Sequence, residues 1–246
     1  MSKVKVKILG SGNAFNQDNR LNASYLIEGE GNKILIDCGF TTPFALQQNN
    51  ISFNEIDVVL ITHYHGDHFA GLSAMLLALY YKSPQNKKLR IIGGGDVKKK
   101  VFDLIKTLYS GSEKIFKLLD IEFQTVSKTF FIGETLVESI PMVHSTASLP
   151  FGFILNFDSC VIGFSGDTSW HKGVEDLIIR TDYLFLECNL TKKLGKGHIS
   201  VEELEDSELI QVKKNRVFLT HLSRSSYSVA SKKGYVCISD GDDFSF

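Results

Sequence analysis

Four side chains of the kinds that hold metal ions crowd into the segment THYHGDH: His63, His65, Asp67 and His68. The run VVLIT before them has the apolar, β-branched composition of a buried strand, so the cluster stands at a strand end. In extended chain, residues two apart project to the same face, which lets His63 and His65 reach one metal while Tyr64 points the other way. Gly66 is then expected to let the backbone turn sharply and aim Asp67 and His68 at a second position nearby. A lone histidine is usually a surface or satisfied core residue, but a cluster of ligand types this dense is not a coincidence of composition. Imidazole nitrogen and carboxylate oxygen together suit zinc, and they also accept iron or manganese. Three further potential ligands follow, each just beyond a strand-like run: His144 in SIPMVHS, Asp167 in VIGFSGDT and His221 in RVFLTHLS. Strand ends commonly carry functional side chains into a shared crevice.

The elements that must position these residues read as alternating strands and helices. Strand-like runs recur as VKVKILG, the segment Ser24 to Ile27, KILID, VVLIT, LRII, IEFQTV, FGFILNF, SCVIGF, DYLFLE and RVFLT. Helical patterns lie between them, clearest over Leu72 to Tyr81, Val97 to Tyr109, Val174 to Ile179 and after Ser200, where Ser200 and Glu203 fit a capping box. The second half repeats the theme of the first without sequence repetition. The pattern predicts a layered α/β fold, a sheet sandwich covered by helices. No linker or low-complexity stretch divides the chain of 246 residues, so one domain over 1–246 is expected.

Composition narrows the classes of function. Lys and Arg number 27 against 28 Asp and Glu, so nucleic-acid affinity would have to come from local patches. Two candidates are Lys98, Lys99 and Lys100, and Lys192, Lys193 and Lys196; such clusters are usually just a solvated face. The alternating amino terminus lacks the apolar run of a signal peptide, and the run around Met75 to Tyr81 is too short to span a bilayer. Cys38, Cys160, Cys188 and Cys237 are far apart and form no CxxC pair, which fits reduced thiols. A cytoplasmic protein with no membrane partner is expected.

Through the HxHxDH pattern of THYHGDH, the early strand pair ending in LIDCG, and the His144, Asp167 and His221 segments in order, the chain resembles the metallo-β-lactamase superfamily. The likeness runs from about Val4 to Ser223 and implies an αββα sandwich with two divalent metal ions, zinc first among them, at one edge of the sheets. By that resemblance His63, His65 and His144 would hold one metal and Asp67, His68 and His221 the other, with Asp167 bridging. Asp37, after KILI, looks like the family's buried carboxylate beside the site. The resemblance also implies a homodimer.

Two such cations about 3.5–4 Å apart lower the pKa of a bridging water, which makes a hydroxide available at neutral pH. Asp67 could orient that hydroxide or take its proton. Cleaving a phosphodiester also asks for a proton at the leaving alkoxide. The expected donor is His198 in GKGHISVEEL, oriented by Glu187 of YLFLECNL. The pairing resembles the tRNA 3′-end endonucleases of the RNase Z branch, as does the opening segment GSGNAFNQDNRLNAS, which would set Arg20, Asn22 and Ser24 near the cleft. The competing reading makes His198 a residue that merely precedes a capped helix and Glu187 a solvated strand end. Only one β-hairpin separates the His144 and Asp167 segments, where bacterial-type RNase Z carries its tRNA-binding arm. A phosphodiesterase acting on a nucleotide or small RNA is therefore expected ahead of an RNase Z-like endoribonuclease. Hydrolysis of a thioester or lactone is the alternative the metals alone leave open. Flavodiiron-type redox chemistry would want a Glu at the place of His65, and a scaffold without catalysis would want broken ligand motifs. His171 matches no ligand position and reads as a loop residue.

Overall fold

The computed structural model describes residues 3–82, 87–194 and 197–246. The first sheet is built from β1 (Lys5–Gly10), β2 (Ser24–Gly29), β3 (Asn32–Ile36), β4 (Val58–Leu60), β5 (Leu89–Gly93) and β6 (Ile121–Thr125). The second takes β7 (Thr129–Ile132), β8 (Thr135–Pro141), β9 (Phe151–Asn156), β10 (Val161–Phe164), β11 (Tyr183–Glu187), β12 (Val217–Thr220) and β13 (Val236–Cys237). A final strand, β14 (Asp243–Ser245), returns to the first sheet and pairs antiparallel with β1. Each sheet lies in sequence order. In the first, β1 to β3 are antiparallel and β3 to β6 parallel. In the second, β7 to β10 are antiparallel and β10 to β13 parallel.

Residue alternation explains why the sheets stack as they do. On β2 to β4, Tyr25, Ile27, Ile34, Ile36, Val58 and Leu60 face a core shared with Phe153, Leu155, Phe164, Phe185 and Phe218 of the second sheet. The intervening Leu26, Leu35 and Val59 face the opposite way, into a second core. That core is closed by α1 (Thr42–Gln48), α2 (Gly66–Phe69), α3 (Gly71–Lys82) and α4 (Val97–Leu108). On the second sheet, Ile154, Leu184, Leu186 and Leu219 face a third core under α5 (Lys172–Arg180), α6 (Val201–Asp206), α7 (Glu208–Lys213) and α8 (Arg224–Lys232). A period of two thus sorts side chains into three cores and gives four layers, αββα. The helices show their own period: α4 buries Val97, Val101 and Ile105 on one face and is capped by Asp96, whose carboxylate accepts from the Lys99 amide. The capping box read at Ser200 and Glu203 is present at the start of α6.

Strands β3, β4, β10, β11 and β12 end at the same rim, where Glu187 closes β11 and Asp37, His63, Asp167 and His221 stand just past the other four. No helix among the described residues is long and apolar enough to cross a membrane.

Candidate metal centre and its acid–base pair

His63, His65, His144 and Asp167 offer ligand atoms that all lie within 4.8 Å of one another, and so do Asp67, His68, Asp167 and His221. Asp167 belongs to both groups. Its Oδ2 stands 3.8 Å from His63 Nε2 and 3.9 Å from His144 Nε2 on one side, and 3.5 Å from His221 Nε2 on the other. Its Oδ1 is 3.4 Å from His68 Nε2. Asp67 Oδ2 lies 3.2 Å from His68 Nε2 and 3.3 Å from His221 Nε2.

Neighbouring groups set which ring nitrogen each histidine turns inward. His68 Nδ1 donates to Asp37 Oδ2 at 2.7 Å, and His144 Nδ1 donates to the Gly197 carbonyl at 2.7 Å, so both present Nε2 to the centre. His63 Nε2, His68 Nε2 and Asp167 Oδ1 are buried and have no hydrogen-bond partner. Buried polar atoms are ordinarily satisfied, and three orphans converging from two distant segments, THYHGDH and the loop of Asp167, fit a bound cation. Nitrogen and carboxylate oxygen are the donors a divalent ion of the zinc, iron or manganese type takes, so the residues present fit the group.

The electrostatics agree with that reading. Burial opposes the charged form of His68, yet Asp167, Asp67 and Asp37 outweigh it and hold the imidazole well above its usual range. Burial likewise opposes the charge on Asp67 and Asp167, but His68 and His221 hold both carboxyls below the ordinary range. Burial pushes His63 and His65 down, leaving neutral rings with lone pairs to give. The chain has placed an excess of carboxylate charge in a dry site, of the sign a divalent cation neutralises.

Beside the two groups stands His198. Its Nδ1 bonds Glu187 Oε1 at 2.8 Å, and its ring centroid lies 5.1 Å from that of His144 and 5.3 Å from that of His221, one histidine from each group. Glu187 is 1 % exposed, which overturns the reading of a solvated strand end. Its Oε1 also accepts from the amides of Thr168 and Ile199, and its Oε2 from the Asn189 amide. Glu187, His198 and His221 form a third group of close ligand-type atoms. Burial pulls the His198 imidazolium down, but the hydrogen bond and charge of Glu187, helped by Asp167, push it up to about 9.

The other residues singled out in the sequence take definite places. The chain turns at Gly66 as α2 begins, without a left-handed φ, and a Cβ there would come within 2.3 Å of the Phe40 ring. Two ligand-type residues of the site, Asp37 (φ 61°) and His221 (φ 53°), are left-handed without being glycine, geometry that costs about 1–3 kcal/mol. Asn22 and Ser24 are fully buried and brace the opening loop: Asn22 bonds Asn13 and Thr41, and Ser24 bonds the Asn22 carbonyl. Arg20 stacks on Tyr227, 3.9 Å from the ring centroid. His171 caps α5 by accepting from the Gly173 amide. Of the lysine patches, Lys99 pairs with Asp103, Lys100 lies over the Tyr64 ring, Lys193 approaches Glu203, and Lys196 lies outside the described residues. Sequence reading missed Thr62, which bonds both Asp37 and His63, and Asn189, whose amide side chain sits 3.5 Å from His221 Nδ1. Both are common polar types, and nothing but adjacency to His63 and Glu187 pointed to them.

Four layers, two mixed sheets and a rim of histidine and aspartate at the strand ends define the class: this is the metallo-β-lactamase fold. Among solved structures with the same architecture, the metallo-β-lactamase fold protein YhfI from Bacillus subtilis superposes with a TM-score of 0.79 at 18 % identity, covering 100 % of both chains. Human tRNase Z, short form, superposes with a TM-score of 0.75 at 20 % identity over 98 % of each. More specifically, the chain belongs to the Anti-Pycsar protein Apyc1 family, whose model matches residues 4–239. It is 30 % identical over 210 residues to the Anti-Pycsar protein Apyc1 of Saccharibacillus brassicae, covering 82 % of this chain and 83 % of that one. A ribonuclease Z of Methanococcus maripaludis is 28 % identical over 150 residues, 61 % of this chain but only 48 % of the length of that relative.

Proposed function

We propose that the chain is a dinuclear metal-dependent phosphodiesterase in which His198 donates the proton that the leaving oxygen needs. The carrying observation is the Glu187–His198 pair: a buried carboxylate holding an imidazole, 25 % exposed at its side chain, beside one histidine of each ligand group. A thioester or lactone cleaves without such a donor, whereas an alkoxide leaving a phosphodiester departs poorly unless protonated. The likeness to ribonuclease Z, an enzyme of RNA by its name, and to a diphosphatase of the PhnP family supports phosphorus–oxygen chemistry.

His63, His65 and His144 would hold one metal, Asp67, His68 and His221 the other, and Asp167 both, with zinc the ion this donor set suits first. Bound there, two such ions supply Lewis acidity, lowering the pKa of water and offsetting charge on the phosphoryl oxygens. The protein's own groups do the rest. Asp67, kept anionic by His68 and His221, accepts a hydrogen bond from the attacking water and orients it. His198 keeps Nδ1 on Glu187, which leaves Nε2–H to protonate the departing oxygen, and Glu187 stabilises the imidazolium until that transfer. Without a recognition arm between β9 and β10, the reading favours a nucleotide or short RNA over a folded one.

The test is a leaving-group series. His198→Ala should slow an alkyl phosphodiester by about 10²–10⁴-fold and leave a p-nitrophenyl ester, whose leaving group needs no proton, within a few-fold of wild type. An equal loss on both substrates, or wild-type activity confined to an acyl thioester, overturns the assignment.

A further inference from the structure

We propose that Thr62 is a positioning residue for the first metal group: its hydroxyl relays the carboxylate of Asp37 to His63, so that one carboxylate oxygen orients a histidine in each group. The inference rests on His63 and His68 being ligands and not on which ester is cleaved.

The direction of each bond decides the argument. A carboxylate at Asp37 can only accept. Its Oδ1 takes the Thr62 amide at 2.7 Å, and its Oδ2 takes both His68 Nδ1–H and the Thr62 hydroxyl, each at 2.7 Å. A hydroxyl has one proton. Because the Thr62 proton is committed to Asp37, its lone pair must face His63 Nδ1, 3.1 Å away, and Nδ1 must therefore carry a hydrogen. His63 Nε2 is then the lone pair, and it is one of the buried atoms left without a partner at the centre. The same logic applies directly at His68, whose Nε2 is also unpartnered. Asp37 thus fixes a histidine of the second group at first hand and a histidine of the first group through Thr62. All of these groups are 2 % exposed or less, so no solvent competes for the bonds.

Backbone geometry fits this assignment. Asp37 is held at a left-handed φ of 61°, and its amide bonds the Leu60 carbonyl, which ties the end of β3 to the end of β4 just before Thr62. The Thr62 side chain packs against Gly166, where an added Cβ would come within 2.9 Å of Thr62 Cβ, so a test variant should keep threonine's shape. Valine has that shape without the hydroxyl.

Zinc affinity of purified protein, read by competition with a chromogenic chelator and resolved into two binding steps, tests the proposal without any substrate. Thr62→Val should weaken one of the two steps by about tenfold to a hundredfold and leave the other within a few-fold. Thr62→Ser, which keeps the hydroxyl, should restore it. Asp37→Asn should weaken both steps. Long-range proton–nitrogen spectra of the metal-free protein should show His63 protonated at Nδ1 in wild type and T62S, and a tautomer mixture in T62V. The proposal is overturned if T62V binds both ions as wild type does, if it loses both steps equally, or if T62S fails to rescue a folded protein. Normal metal loading without phosphodiester hydrolysis would defeat the proposed activity and leave this inference standing.

Discussion

Glu187 does at a single position what several residues share elsewhere in the site. Its carboxylate is buried, takes three backbone amides from the loops after β10 and β11, and spends its remaining capacity on His198. In Glu187→Gln the remaining oxygen can keep the Thr168 and Ile199 amides and His198, while the side-chain nitrogen gives up the Asn189 amide, so the variant alters the electrostatics at the cost of one anchor. A histidine whose pKa is raised by a carboxylate is in its acid form below that pKa and loses the proton as pH rises through it. The rate on an alkyl phosphodiester should therefore fall on the alkaline side. In E187Q the acceptor remains but the charge is gone, so the alkaline limb of kcat/KM should move to lower pH. With cations in place Asp167 no longer adds its share, so the wild-type limb should lie below the value of about 9 that the bare site gives His198. A limb that stays put in E187Q would show that His198 is not the group being titrated. The residues that announced themselves in the sequence were those whose types are rare outside chemistry: His63, His65, His144, Asp167, His198 and His221. Thr62 and Asn189 did not, because threonine and asparagine occur everywhere and only hydrogen-bond direction reveals their part. The left-handed backbone at Asp37 and His221 was equally silent, since neither is the glycine that such geometry normally selects.

Among the elements, the opening loop between β1 and β2 is held by the far end of the chain. Asp240 accepts from the Ser11 amide at 2.8 Å, the Ser11 hydroxyl at 2.7 Å and the Leu21 amide at 2.7 Å, pinning both ends of the loop at once. That loop carries Asn13, which reaches Asn189 beside His221. Bonds to a charged acceptor are worth about 1.5–3 kcal/mol each when buried; the low end applies to a partly exposed carboxylate and three bonds on one group do not add fully, so Asp240→Ala should cost about 2–4 kcal/mol. Thermal unfolding measures the loss, and hydrogen exchange at the Leu21 amide locates it; an amide as protected in D240A as in wild type would remove Asp240 from the account. Such an anchor is invisible to local pattern, as are the strands that share its logic. The runs with both faces buried, β2 to β5 and β9 to β12, were legible because apolar and β-branched residues persist through them. The short strands were not: β13 has two residues and β14 three, and β14 exists only because β1, at the other end of the chain, offers an edge. Phe131, 58 % exposed in the middle of β7, breaks the alternation that would have marked that strand.

At the scale of the whole molecule, the candidate metal centre is also the seam between the sheets. Asp37, His63 and the helix α2 that carries Asp67 and His68 come from the first sheet's side, while His144, Asp167, Glu187 and His221 come from the second. Below the rim the sheets are joined by aromatic packing, with Tyr25 of the first sheet tilted against Phe164 and Phe185 of the second at 5.1 and 5.4 Å between centroids. At the rim that packing stops, and four buried carboxylates, Asp37, Asp67, Asp167 and Glu187, face a set of histidines instead. Ions bound there stabilise the folded chain by mass action, by about 2.7 kcal/mol for each site at a hundredfold excess over its dissociation constant. For a domain of this size each kcal/mol moves Tm by about 2–4 °C. Zinc-loaded protein should thus melt about 10–20 °C above protein stripped with a chelator if both sites fill, and about half that if one does. The variants separate the two groups. Asp167→Asn, which touches both, should lose nearly the whole increment, whereas His65→Ala, which touches only the first, should keep about half of it. Because Asp167 lies on the second sheet's side and His65 on the first, equal losses in the two variants would mean that the sheets meet around one ion, and the dinuclear reading would then have to be given up.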